Sequence, residues 1–322
     1  MKKEILVTGA AGFVGRRLAR ALGRKGYEPR LLVRSERRFK ELNPGIEGSV
    51  VEADLLDDRS LDTALEGVRF AYYLVHSMRG RAVGRSGDFA GKDRKAAENF
   101  VRAAGKQGVE RILYLGGLGE YGDRLSEHLA SRQEVAKILS SGKPALTELR
   151  AANIIGAGGA PFEMLRYLVE RLPVMVAPRW IDTRCQPIDI HDAVGYLVGC
   201  LRESRTAGAR FDIGGAEIVT YRQMIRLYAG VRGLRRVVFS VPVLTPRLAS
   251  LWVALVTPVS SGLASPLIEG LKNEVVCKEN RIRELIPIPL TPMVDSLRQA
   301  LRETEAGSVM FPADTFTKGY PH

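Results

Sequence analysis

The sequence predicts an α/β protein built on a doubly wound parallel sheet, with a smaller C-terminal region beside it. Apolar β-type runs and helix-type runs alternate through the first half of the 322 residues, and glycine or proline marks many junctions. A glycine-rich run with the spacing G-x-x-G-x-x-G lies between the first strand and the first helix. In such folds, ligands bind at the carboxyl ends of the strands.

The predicted elements follow this alternation. Strands are predicted at residues 5–7, 30–33, 50–53, 71–75, 112–115 and 145–149, and helices at 14–25, 60–65, 88–107 and 127–140. Later helices are predicted at 162–171, 192–201 and 221–229, the last with Thr220 as its N-cap, and a strand at 210–213. We predict a nucleotide-binding core over residues 1–150, and α/β segments over 151–322 that complete the fold and cap the substrate cleft.

Composition bears on the partners that the protein binds and on its location in the cell. The net charge is +12, but the arginines are scattered and no aromatic-plus-basic module accompanies them, so no nucleic-acid partner is expected. Three cysteines without a C-x-x-C pair predict neither a disulfide framework nor a metal site. Because the first residues lead straight into a strand and show no signal-peptide pattern, we expect a cytoplasmic location.

Residues 248–256 form the most apolar later stretch. This stretch is shorter than the ~20 apolar residues of a membrane-spanning helix. A core helix is favoured, while contact with a membrane surface, a substrate pocket or a dimer partner stays open. The sequence does not indicate an oligomeric state.

The glycine run predicts a site for a dinucleotide. Gly9 permits the tight turn, Gly12 lets phosphates approach the backbone, and Gly15 lets the helix pack closely on the sheet. The unpaired amides and the positive dipole end of the helix then face the pyrophosphate. The predicted cofactor-binding residues of this Rossmann-type turn are Gly9, Ala11, Gly12, Phe13, Val14 and Gly15.

Arg34 follows the second strand, where an acidic residue would bind the ribose 2′-hydroxyl of NAD(H). A guanidinium can instead bind a 2′-phosphate through two hydrogen bonds. We therefore predict a preference for NADP(H) over NAD(H), although NAD(H) stays possible. An exposed basic turn formed by Arg34, Arg37 and Arg38 is the alternative interpretation.

The next strand ends complete the predicted cofactor site. Asp54 can accept a hydrogen bond from the adenine amino group, with Leu55 against the ring, although a loop or N-cap role for Asp54 is nearly as plausible. The backbone at Leu74 and Val75 is predicted to pass beside the cofactor riboses. His76 is predicted at the mouth of the cleft, as a substrate contact or as a polar loop residue.

Several segments resemble the short-chain dehydrogenase/reductase superfamily in its extended and atypical branches. The segment TGAAGFVG at residues 8–15 resembles the glycine motif of that branch, and FDIGG at 211–215 resembles its late strand-and-glycine signature. The segments YLVHSM at 73–78 and YLGGLG at 114–119 are typical of the NmrA-like group related to the complex I 39-kDa subunit. The resemblance implies a Rossmann fold and an NAD(P) cofactor.

The resemblance also implies a catalytic Y-x-x-x-K pair, from which this chain departs. His128 and Arg132 stand in the matching positions, one helical turn apart, and Gly116 and Gly117 stand where the family has its serine. His128 could exchange a proton, since imidazole titrates near neutral pH, or it could only position a ligand. Arg132 could still hold the ribose hydroxyls.

The family places its substrate between the nicotinamide and the C-terminal segment. Candidate substrate contacts are Asn153, Trp180 and Arg184, with Phe162, Glu163 and Gln186 as further candidates. An aromatic ring and a guanidinium close together suit a planar or anionic ligand, and the apolar residues nearby favour a lipophilic one. The leading hypothesis is an NADP(H)-dependent oxidoreductase acting on a small, lipophilic carbonyl or quinone-like substrate. The alternative is a non-catalytic NADP(H)-binding redox sensor or complex-assembly factor.

Overall fold

A computed structural model describes residues 5–75, 89–119, 127–241 and 272–307. Their strands are β1 (Ile5–Val7), β2 (Pro29–Val33), β3 (Ser49–Glu52), β4 (Phe70–Tyr73), β5 (Arg111–Gly117), β6 (Ala145–Ala151), β7 (Ile154–Ile155), β8 (Val174–Pro178), β9 (Arg184–Cys185), β10 (Ile188–Asp189), β11 (Arg210–Ile213), β12 (Val219–Thr220) and β13 (Val237–Val241). Their α-helices are α1 (Phe13–Arg24), α2 (Glu36–Leu42), α3 (Asp58–Leu65), α4 (Phe89–Lys106), α5 (Glu127–Ser140), α6 (Ala160–Arg171), α7 (Ile190–Arg202), α8 (Tyr221–Val231), α9 (Arg281–Leu285) and α10 (Met293–Glu305).

Seven strands form the central sheet, in the order β11-β6-β5-β4-β1-β2-β3, and every pair is parallel. The strand order reverses between β1 and β4, where a doubly wound sheet opens its ligand crevice. The predicted fold class is confirmed. β11, from the second half of the chain, extends the sheet beyond β6, whereas the division of the chain at residue 150 stays a prediction.

Helices cover both faces of the sheet, and successive strand residues point to opposite faces. Ile5 and Val7 pack with α1 and α7, whereas Leu6 between them packs with α3 and α4. A third apolar cluster lies among α6, α8 and α10 in the C-terminal part. Among the described residues, no helix is long and apolar enough to span a membrane.

Several elements differ from the sequence prediction. The charged segment after Arg34 is the helix α2 and not a basic turn; its first turn is capped by the Ser35 hydroxyl, which accepts a hydrogen bond from the Arg38 N–H at 3.4 Å. The short parallel pair β8–β13 and the helix α10 were not predicted. Residues 248–256 lie outside the described residues.

Thr220 caps α8 as predicted. Its hydroxyl accepts a hydrogen bond from the Gln223 N–H at 3.1 Å, and the Gln223 carboxamide accepts one from the Thr220 N–H at 2.7 Å. This reciprocal pair is a capping box, which satisfies two amides at the start of the helix.

Candidate cofactor site

The glycine turn between β1 and α1 is closed by backbone contacts that leave no room for side chains. Gly9 has a φ of +65°, and a Cβ atom there would lie 2.8 Å from the Leu74 carbonyl oxygen. A Cβ atom on Gly15 would lie 2.2 Å from the Gly9 carbonyl oxygen. The Gly12 N–H donates to that same oxygen at 2.8 Å. The turn therefore folds back on itself and seats α1 directly against the sheet.

The start of α1 suits an anion. Gly12 is the N-cap, so no side chain occupies the first-turn amides, and that turn contains no acidic residue. Ala11 and Gly12 are exposed, while Phe13 and Val14 are half-buried. Because unpaired amides and the positive dipole end face outward here, this turn fits the pyrophosphate of a dinucleotide.

Leu74 and Val75 follow β4 and lie beside this turn. The Thr8 hydroxyl donates to the Tyr72 carbonyl at 3.0 Å and accepts from the Leu74 N–H at 3.1 Å, which ties the ends of β1 and β4 together. Leu74 and Val75 are half-buried beside Gly9, and their position next to the cofactor riboses stays a prediction. His76 lies outside the described residues.

Arg34 is exposed directly after β2. Glu52, which ends the neighbouring strand β3, is held at the start of α2, where its Oε2 atom accepts a hydrogen bond from the Glu36 N–H at 2.9 Å. Arg37 forms a surface ion pair with Glu41 at 3.0 Å. Arg34 thus presents a guanidinium at the strand end where a ribose 2′-substituent would lie.

Asp54 and Leu55 follow β3 but have different environments. Asp54 is exposed, and its Oδ1 atom accepts a hydrogen bond from the Leu56 N–H at 2.9 Å, which closes an Asx turn. Leu55 is buried in the cluster beneath α3 and α4, and its carbonyl accepts a hydrogen bond from the Asn99 side chain at 3.0 Å. The Leu55 side chain therefore packs in the core, while Asp54 faces solvent.

Arg132 lies against the carboxyl end of β5. Its Nη1 atom donates to the Leu115 carbonyl at 3.0 Å, and its own carbonyl accepts from the Tyr114 hydroxyl at 3.1 Å. The Arg132 Nε–H is buried without a partner among the described residues. Burial raises the pKa of Tyr114 to about 12, so that this phenol stays protonated at neutral pH. His128 lies one turn earlier in α5, and its side chain is outside the described residues.

Gly117, at the end of β5, is packed against α5. A Cβ atom at Gly117 would lie 2.9 Å from the Leu129 Cδ2 atom. A larger residue at Gly117 would therefore require the Leu129 side chain to move.

The predicted substrate contacts lie on separate elements. The Asn153 side chain donates to the Tyr221 hydroxyl at 3.3 Å, beyond the end of β6. Trp180 is half-buried in a single 3₁₀ turn after β8. Arg184, in β9, is exposed and 3.8 Å from Glu274.

Three further substrate candidates have structural roles instead. Phe162 is fully buried in the core beneath α6. The buried Glu163 carboxylate accepts from the Gly158 N–H at 3.0 Å and pairs with Arg166 at 2.7 Å. The buried Gln186 side chain donates to the Gly215 carbonyl at 2.9 Å. Sequence position alone could not separate these packing roles from a role in the cleft.

A polar cluster beside the glycine turn was not found from the sequence. His191 Nδ1 lies 3.0 Å from the Asp189 carboxylate, and His191 Nε2 lies 3.5 Å from Glu303. Glu303 also pairs with Arg17 at 3.0 Å, and the Arg17 guanidinium stacks on the Phe13 ring of the glycine turn. The hydrogen bond to Asp189 raises the pKa of His191 above its ordinary value. In the sequence, only the spacing Asp189-x-His191, at the start of an apolar helix, indicates part of this cluster.

The comparisons with known proteins agree with this geometry. A family model described as NAD(P)H-binding matches residues 9–156. A curated relative, the ceramide reductase of Caulobacter vibrioides, is 27% identical over 292 residues, which is 89% of this chain and 86% of the relative. An NADPH-dependent quinone oxidoreductase from Escherichia coli has a TM-score of 0.72 at 19% identity over 92% of this chain and 99% of its own. A nucleoside-diphosphate-sugar epimerase from Staphylococcus aureus has a TM-score of 0.72 at 17% identity, over the same shares of the two chains.

The fold and the glycine turn thus define an NAD(P)-binding protein of the Rossmann type. Residues 9–156 match the NAD(P)H-binding family model, and the solved structures share the fold of the chain. Both findings are consistent with the resemblance to the short-chain dehydrogenase/reductase superfamily in the sequence.

Proposed function

We propose that this protein is an NADP(H)-dependent oxidoreductase that acts on a lipophilic carbonyl or quinone-like substrate. The observation that carries the proposal is the open start of α1 at the glycine turn, with the exposed Arg34 guanidinium at the next strand end. The turn offers amides to the pyrophosphate, and Arg34 offers a bidentate partner to a 2′-phosphate. A carboxylate in place of Arg34 would instead repel that phosphate.

The residues of α5 support a catalytic role. When bound, the nicotinamide would supply or accept the hydride, and the protein would supply orientation and a proton. Arg132 is held at the end of β5 through the Leu115 carbonyl, so that its remaining N–H groups can orient ribose hydroxyls. His128, one turn away, would exchange the proton at an imidazole nitrogen.

A lipophilic substrate is supported by the relatives. The relative from C. vibrioides is named for the reduction of ceramide, a lipid, and the structural neighbour from E. coli for that of quinones. We therefore expect carbonyl groups on long apolar chains, or quinones, to accept the hydride from NADPH. Asn153, Trp180 and Arg184 are the proposed contacts on the substrate side.

Turnover tests this proposal. NADPH oxidation would be followed by its absorbance with short-chain quinones, long-chain aldehydes and ketones, and ceramide precursors as acceptors. We expect at least one acceptor to be reduced, and His128→Ala to lower kcat by roughly a hundredfold. Ser140→Ala, an exposed residue on the same helix, is the control and should leave kcat unchanged. Unchanged turnover in His128→Ala would remove this residue from the mechanism.

A non-catalytic NADP(H)-binding sensor or assembly factor is the second candidate. The glycines at positions 116 and 117 favour it, because they supply no hydroxyl where the family has its serine. Tight binding of NADPH without oxidation by any acceptor would support this candidate over the enzyme. Failure of both NADPH and NADH to bind would contradict both.

A further inference from the structure

The small sheet formed by β8 and β13 has an exposed apolar face. The strands pair in parallel, with Val174 opposite Val237 and Val176 opposite Phe239. These four side chains are 47% to 57% exposed. They are four of the six large hydrophobic side chains that are exposed among the described residues. Exposed apolar surface is therefore concentrated on one face of this part of the protein.

The opposite face of the same sheet is also apolar, but it is buried. Met175 and Ala177 of β8 lie in the core with α6 and α8, and Val238 of β13 packs against the same cluster. A strand with one face in the core and the other in water normally alternates apolar and polar residues. Because both faces are apolar here, the outer face is suited to a non-aqueous neighbour.

The face is held firmly on the body of the protein. The Arg222 side chain donates to the Val238 carbonyl at 2.9 Å and pairs with the Asp182 carboxylate at 2.7 Å. The Arg236 guanidinium donates to the Val169 carbonyl and, at 3.2 Å, to the Glu170 carbonyl. The apolar side chains are therefore presented by a fixed surface.

Exposed arginines adjoin both strands of this face. Residues 171–181 and 218–241, which include both strands, contain seven arginines. Two of these are paired with carboxylates: Arg222 with Asp182, and Arg232 with Glu170 and Glu305. Arg179 directly follows β8 and Arg235 lies just before β13; both are exposed. A second copy of the chain docked on this face would place its own arginines against these arginines. An anionic lipid surface is apolar within and negative at its headgroups, so that it complements both the apolar face and the arginines.

We propose that the β8–β13 face docks the protein on an anionic lipid surface. Val174, Val176, Val237 and Phe239 would contact the boundary between headgroups and acyl chains, and the surrounding arginines would contact lipid phosphates. The proposal goes beyond the oxidoreductase function and does not depend on turnover. It also gives the protein a peripheral membrane contact, which the sequence analysis did not favour.

Vesicle sedimentation of the full chain tests the docking. The probes are sucrose-loaded vesicles of phosphatidylcholine alone and of phosphatidylcholine mixed with phosphatidylglycerol. We expect binding to the mixed vesicles, with weaker binding to phosphatidylcholine alone and release at high salt. The double variant Val176→Thr, Phe239→Ser should lower the partition coefficient by about tenfold. Arg235→Ala should lower it by about fivefold.

Matched controls lie in the N-terminal half. Leu56→Ser alters an exposed apolar residue after β3, and Arg24→Ala alters an exposed arginine at the end of α1; neither should change vesicle binding. Circular dichroism and NADPH binding should be unchanged in the β8–β13 variants, which separates docking from the cofactor site. Wild-type protein that binds no vesicle, or face variants that bind as well as wild type, would overturn the proposal. Self-association that the double variant abolishes, without vesicle binding, would overturn it in favour of a second copy.

Discussion

At the scale of single residues, the glycine turn depends on contacts between backbone atoms. The carbonyl oxygen of Gly9 accepts a hydrogen bond from the Gly12 N–H and lies 2.2 Å from the position that a Cβ atom of Gly15 would take. Because backbone cannot rotate out of the way as a side chain can, even one methyl group here must displace α1 from the sheet. The amides at the start of α1 would move with it.

Replacing Gly15 with alanine should therefore be costly. We expect Gly15→Ala to lower the free energy of unfolding by roughly 1–3 kcal/mol and to weaken dinucleotide binding. Gly23→Ala on the same helix is the control, since the nearest atom to its Cβ would be 3.9 Å away. It should raise stability by about 0.5–1 kcal/mol, because alanine favours the helix. Urea unfolding measures the stability of both variants. A Gly15→Ala variant as stable as Gly23→Ala would contradict the packing argument.

At the scale of elements, one polar junction connects three helices near the glycine turn. Arg17 on α1 pairs with Glu303 on α10, and His191 on α7 lies between Glu303 and Asp189. Asp189 also caps α7, since its carboxylate accepts a hydrogen bond from the His191 N–H at 2.7 Å. Protonated His191 therefore bridges two carboxylates, while Arg17 opposes its charge.

This junction should make stability depend on pH. The pKa of His191 is raised in the folded protein. The contribution of His191 to the free energy of unfolding is therefore fully present below its pKa in the unfolded chain, about 6.5, and is lost as the pH rises through its pKa in the folded protein. We expect the stability difference between wild type and His191→Asn to be largest at acidic pH. Urea unfolding across this range measures it, and a difference that grows with pH would contradict the assignment.

Several elements were predictable from the sequence. The strand at residues 5–7 and the helix at 127–140 match β1 and α5, and Thr220 was correctly identified as a cap. α2 was missed because its many charges resembled a solvated turn, while only Phe39 reaches the core. β8 and β13 were missed because their outer faces are apolar, so that neither shows the alternation of a half-exposed strand.

The candidate site was only partly predictable, for a different reason. The glycine turn is a local feature, since spacing and the flanking elements define it within a few residues. The position of Arg132 against the Leu115 carbonyl, and the core roles of Phe162 and Gln186, depend on residues distant in the sequence. The same holds for the junction of Arg17, His191 and Glu303. Such contacts require the folded chain.

At the scale of the whole molecule, the net charge is +12, and arginines take part in both proposals. Arg34 lies at the cofactor edge of the sheet, and the arginines around β8 and β13 lie in the C-terminal part. In this account, the cofactor edge binds NADP(H), and the β8–β13 face holds the protein at a lipid surface. The two surfaces can be altered separately, so that each proposal can fail alone.

A titration of NADPH and NADH against wild type and Arg34→Asp tests the central claim most directly. Nicotinamide fluorescence would report binding, with Arg24→Ala as a control for the loss of one exposed arginine. We expect wild type and Arg24→Ala to bind NADPH more tightly than NADH. We expect Arg34→Asp to lose most of its NADPH affinity while it keeps that for NADH, because a carboxylate repels the 2′-phosphate. Tighter binding of NADH by wild type, or an unchanged NADPH affinity in Arg34→Asp, would contradict the account.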